Sequence, residues 1–163
     1  MLGQVVRRPV PVAADPRGVH RILLAFDGSP GAWAAFERAV EIAVAQRALL
    51  TIAGVVGEPT LWLGFGPVTM PYTRAMMVRE LERDMLQKLA AARDEVPAAV
   101  SVTTRLLHGR PARALAALAA DGGYDLVVAG PGNAGRLPRL FGRSVAHSLL
   151  SRCRTSVLAV RAD

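Results

Sequence analysis

The sequence predicts an α/β fold: a three-layer domain in which a five-stranded parallel sheet lies between two layers of helices. Three observations carry that expectation. Short apolar runs alternate with helix-periodic segments from Arg21 onward, the pattern of strand-helix-strand units. RILLAF, the first of them, is continuously apolar rather than alternating, as strands covered on both faces are. Proline and glycine punctuate the helix starts and stops. The 163 residues are 52% hydrophobic and 20% charged, enough for one domain with a sizeable core and unlike a disordered chain.

Residues 1–19 hold three prolines before Arg17 and no periodicity, and are read as a mobile arm ahead of a domain spanning 20–163. RILLAF (Arg21 to Phe26) is the first strand, ending at Asp27-Gly28. Ser29-Pro30 then offers a helix N-cap and a proline at the first helical position. Trp33, Phe36, Val40, Ala43 and Val44 recur at helical spacing and predict the buried stripe. ALLTIAGVV (Ala48 to Val56) is the second strand. Residues 57–74 contain three glycines, three prolines and three aromatics without a period, a loop long enough to suggest function.

A helix is predicted over Ala75 to Glu95, with Val78, Leu81, Met85, Leu89 and Ala92 inward and Arg79, Glu82, Arg83 and Lys88 outward. Pro97 stops it. Val102 to Leu107 is the third strand. Pro111 opens the next helix, and Gly122-Gly123 closes it. DLVVAG (Asp125 to Gly130) is the fourth strand. A glycine-rich turn follows, then a helix from about Ser144 to Arg152 and a fifth strand, TSVLAVRA. The alternation alone does not fix strand order.

The net charge of +7 comes from 20 basic residues, of which Lys88 is the one lysine. Six arginines (Arg136, Arg139, Arg143, Arg152, Arg154, Arg161) follow Leu126. A solvated basic face accounts for them, and without a platform of stacking aromatics they do not argue for nucleic acid. The longest uncharged apolar stretch, Ala48 to Gly57, falls short of the ~20 residues of a membrane span. The N-terminus lacks the order of a signal peptide. A cytoplasmic protein without membrane partners is expected. The lone Cys153 excludes an intramolecular disulfide and any multi-cysteine metal site. His20, His108 and His147 have no metal-ligand spacing, and His108 reads as a solvated loop residue.

Two strands end in residues suited to a ligand: the first in Asp27-Gly28-Ser29 and the fourth in GPGNAG (Gly130 to Gly135). In open α/β sheets ligands sit beyond the carboxyl ends of strands, where the winding reverses. Side by side, these two strand ends would form such a crevice. The helix starting near Ser144 would present its N–H groups and positive end there, as to a phosphate. The rival reading is a turn that only closes a loop. GPGNAG also fits G-x-G-x-x-G, but it follows the fourth strand and lacks the acidic residue ~20 positions later that a dinucleotide fold needs. No G-x-x-x-x-G-K-[ST] or G-x-S-x-G occurs, so neither a P-loop NTPase nor a serine hydrolase is indicated.

In their order and spacing, RILLAFDGSPGAWAAFERAVEIA, LLHGRPARALAALAADGGYDLVVAGPGNAG and RSVAHSLLSRCRTSVLAV resemble the universal stress protein family over Arg21 to Val160. The resemblance implies a Rossmann-like sheet ordered 3-2-1-4-5 and homodimers pairing through TSVLAVRA. It implies an adenine nucleotide, ATP, held by Asp27 and by the backbone at Val55, with its phosphates on a G-x2-G-x9-G-[ST] loop and Mg²⁺ entering only with the nucleotide. Gly130 and Ser144 match the ends of that loop. Asn133 and Arg143 replace its inner glycines, with Gly132 and Gly142 each one place off. Asn133 tolerates positive φ, whereas Arg143 either fills the phosphate space or pairs with the phosphates.

The function expected is therefore a non-catalytic, stress-linked regulatory dimer that binds adenine nucleotide. One alternative is a dimeric adaptor with a degenerate phosphate loop that meets a protein partner through residues 57–74. The other is a slow ATPase, disfavoured because no general base is identifiable.

Overall fold

The computed structural model describes residues 18–57, 62–63, 66–67, 71–131 and 145–161. Five strands form one parallel sheet: β1 (Arg21–Ala25), β2 (Leu49–Val56), β5 (Val102–His108), β6 (Leu126–Ala129) and β7 (Ser156–Ala159). Its order is β5-β2-β1-β6-β7, the expected 3-2-1-4-5 once the short separate pair β3 (Trp62–Leu63) and β4 (Gly66–Pro67) is set aside. Register is continuous across the centre, Ala25 lying between Ala53 of β2 and Ala129 of β6. Helices α1 (Pro30–Gln46) and α2 (Pro71–Asp94) cover one face, and α3 (Pro111–Asp121) and α4 (Val145–Arg152) the other.

The apolar runs explain the layering. Ile22 and Leu24 point into the α1/α2 side and Leu23 into the α3/α4 side, all fully buried, because successive strand side chains face opposite ways. The two buried polar side chains among the described residues, Ser29 and Thr51, both have partners. Thr51 accepts from Tyr124 Oη at 3.1 Å and meets Thr103 at 3.1 Å. Nearby, the Asp125 carboxylate accepts from the backbone of His20 and Arg21, while the Arg21 guanidinium lies over the Tyr124 ring. These bonds sew the amino edge of the sheet together.

Several element expectations change. In α1 the buried positions are Gly31, Ala32, Ala35, Phe36, Ala39 and Ala43, while Val44 is 49% exposed: α1 lies close to the sheet on small residues, and Val44 falls off that stripe. α2 begins at Pro71, inside the predicted loop, and a short antiparallel pair of β3 (Trp62–Leu63) with β4 (Gly66–Pro67) occupies the middle of that loop. The rest of residues 58–70, together with residues 1–17, 132–144 and 162–163, lies outside the described residues. Val19, assigned to the arm, packs against the core. Leu81, expected inward, is 42% exposed. The 24-residue α2 is about 36 Å long at 1.5 Å per residue, longer than the eight-residue β2, and it overhangs the carboxyl edge beyond Glu82. Among the described residues no helix is long and apolar enough to cross a membrane.

Candidate functional site

The site lies at the carboxyl edge, where β1 is flanked by strands whose connections run in opposite directions, to β2 and to β6. β1 leaves the sheet after Phe26, whose N–H donates to Ala53 O at 2.9 Å. In a parallel ladder both polar groups of a residue face the same neighbour and alternate along the strand. Ala53 thus faces β1, and so does Val55, two residues on and past that last bond. Val56 faces the other way, its carbonyl accepting from Gly109 N. The backbone polar groups of Val55 are therefore directed at the gap that β1 has vacated.

Asp27 follows directly. Its Oδ1 accepts from Ser29 N at 2.9 Å, a local turn of the kind Asp favours, and Gly28 between them has φ 78°, a region glycine enters at little cost. Ser29 Oγ accepts from Ala32 N at 3.1 Å and caps α1, with Pro30 in the first turn. The turn that presents Asp27 is thus also the start of α1. On the far side of β1, Gly130 is buried at the end of β6, so close to α1 that a Cβ there would meet the Gly31 carbonyl. Pro131 in turn covers Gly31. The absence of a side chain at Gly130 lets β6 approach the first turn of α1.

Asp27, Val55 and Gly130 are thus brought to one edge, around the end of β1. Gly132, Asn133, Gly142, Arg143 and Ser144 lie outside the described residues. α4 starts at Val145 and packs on α3 and β7. Two residues at this edge escaped sequence reasoning. His108, expected in a solvated loop, ends β5, and its Nε2 pairs with Glu82 Oε1 of α2 at 2.6 Å. Lys88, expected outward, is half-buried, its stem resting against Gly28. Its being the one lysine was the available signal.

Elsewhere the chemistry is sparse. Burial pushes the Cys153 thiol up from its ordinary value, which disfavours the reactive thiolate. No group of three or more metal-ligating side chains occurs among the described residues. A surface pocket of about 500 Å³ opens at the opposite end of the sheet, lined by Val96, Pro97, Val100, Val102 and the Arg93–Asp94 pair. It lies at the amino edge, away from the strand ends that carry Asp27, whereas ligands of open α/β sheets sit at the carboxyl edge where the winding reverses.

The family model described as "Universal stress protein family" matches residues 18–161. A universal-stress relative from Staphylococcus haemolyticus is 30% identical over 146 residues, covering 87% of this chain and 84% of its own. A universal stress family protein from Burkholderia pseudomallei superimposes with TM-score 0.69 at 26% identity, over 88% of this chain and 97% of that one. A universal stress protein solved in complex with cAMP superimposes with TM-score 0.63 at 28% identity, over 88% and 98%. Fold, strand order and sequence agree: the chain belongs to the universal stress protein family.

Proposed function

We propose that this protein is a non-catalytic stress-response regulator that takes an adenine nucleotide at the carboxyl edge of its sheet. One juxtaposition carries the reading: the Asp27 carboxylate and the Val55 backbone border the gap left by β1 at the strand-order reversal. An ionised carboxylate only accepts hydrogen bonds, so Asp27 suits the hydroxyls of a ribose and repels phosphate. That assigns the nucleoside to the Asp27–Val55 side and the phosphates, with any Mg²⁺, to the segment from Gly130 to Ser144. The cAMP held by the 28%-identical neighbour supports an adenine nucleotide as the ligand class.

Calorimetric titration of nucleotide-stripped protein with cAMP, AMP and ATP–Mg²⁺ tests this. Saturable heat is expected with at least one, and Asp27→Ala should weaken binding by about tenfold, the value of a hydrogen bond to a charged group. Neither heat nor a thermal shift at millimolar nucleotide would discard the reading. Phosphate release above a buffer control, lost in Asp27→Ala, would instead identify an ATPase.

A second reading is a dimeric adaptor without nucleotide. The packing of Gly130 against Gly31 favours it, since that glycine is explained without any phosphate. So do Asn133 and Arg143 at the loop positions where the family's pattern has glycine. In either reading the homodimer is proposed to form through β7, which borders the sheet with only β6 beside it.

A further inference from the structure

We propose that Lys88 is a positioning residue for Asp27, tying the orientation of the candidate ligand carboxylate to helix α2. The observation is the course of the Lys88 side chain. Its Cδ, Cε and Cγ lie 2.9, 3.2 and 3.2 Å from where a Cβ on Gly28 would stand. Its ammonium reaches back one turn along α2 to Asp84 Oδ2, at 2.6 Å. α2 runs antiparallel to the strands it covers, so reaching back means reaching toward the carboxyl edge. Met85, directly over Gly54, holds α2 close enough for the lysine stem to touch the turn.

The chemistry at each end assigns the roles. The Lys88–Asp84 pair is solvent-accessible, with side chains 39% and 55% exposed, and such a pair contributes little stability. The stem is the part that meets Gly28, an apolar rod laid along a polar turn, as long lysine side chains do where they cover a surface. Gly28 holds the positive φ that lets Asp27 accept from Ser29 N. With the stem in place the Gly28 backbone cannot relax into the space a side chain would occupy, and the carboxylate stays aimed. Glycine at 28 is required by φ, and the lysine stem covers the face on which a side chain would stand. Movement of α2, which is also pinned by Glu82 to His108, is felt at Asp27, and occupancy at Asp27 is felt by α2.

The ligand half of this inference rests on the nucleotide reading; the turn half does not. The test compares Lys88→Ala, which removes the stem, with Lys88→Met, which keeps a stem of equal length without the charge. Two readouts are taken: cAMP affinity by calorimetry, and exchange of the Ser29 amide by NMR, since that N–H is bonded to Asp27. For Lys88→Ala, exchange about tenfold faster and cAMP binding about fivefold weaker are expected, typical of a lost coupling contact, with Lys88→Met within about twofold of the parent in both. Unchanged Ser29 exchange in Lys88→Ala, or Lys88→Met as perturbed as Lys88→Ala, would overturn the proposal. If the parent protein takes no cAMP, the nucleotide reading has failed on its own, and Ser29 exchange still decides the role of Lys88.

Discussion

At the scale of the residue, the site depends on two glycines used differently. Gly28 supplies a left-handed turn that aims Asp27, whereas Gly130 supplies thinness, letting β6 touch α1. The second makes a sharp prediction. In Gly130→Ala the new methyl meets the backbone carbonyl of Gly31, which a rotamer change cannot relieve. Overpacking of this sort costs about 1–3 kcal/mol, so denaturant titration should show a lower midpoint with an unchanged slope. A midpoint equal to the parent's would mean that β6 and α1 are not in contact at that point.

At the scale of the element, α1 does two jobs from one turn. Ser29 closes its N-terminus with its side chain and bonds Asp27 through its backbone N–H, so one residue serves both cap and site with separate groups. Ser29→Ala removes the side-chain acceptor of Ala32 N and is expected to lower stability by about 1 kcal/mol. Because the Ser29 backbone N–H remains, the Asp27 turn should survive, and nucleotide affinity should fall far less than in Asp27→Ala. Equal losses of affinity in the two variants would show that the turn is held by the cap. α2 shows why helix boundaries were harder to read. Its apolar inner face is buried only where the sheet lies beneath it, at Met85, Leu89 and Ala92, and its first turns extend past the edge, so Leu81 follows the helical period without being covered.

At the scale of the whole molecule, the two edges of the sheet divide the labour. The amino edge is closed by the Tyr124–Thr51–Thr103 hydroxyls and by Asp125 on the start of β1, and it serves stability. The carboxyl edge gathers Asp27, Val55, Glu82, His108 and Lys88. The borders of the sheet, β5 and β7, are where another chain can add. For β7, Leu158→Asp places a charge in the proposed pairing strand, and gel filtration should show a shift from dimer to monomer. An elution volume unchanged from a dimeric parent would rule out pairing through β7. Leu158 also packs against the core, so circular dichroism must confirm that the variant is folded.

The order of strands and helices was legible in the residues, because continuous apolar runs, proline at helix starts and glycine at helix ends are local signals with local causes. Asp27 and Gly130 were legible as strand-end residues for the same reason, and family resemblance added Val55 and the strand order. Contacts between segments distant in the chain were not legible: Lys88 on Gly28, Glu82 on His108, Gly130 on the first turn of α1. A lysine at an outward helical position reads as solvated until the sheet beneath the helix ends and a glycine turn comes within reach of its stem. Sequence periodicity specifies which face of a helix is apolar; only the tertiary structure decides where along that face there is something to cover, and which polar side chains meet at its edge.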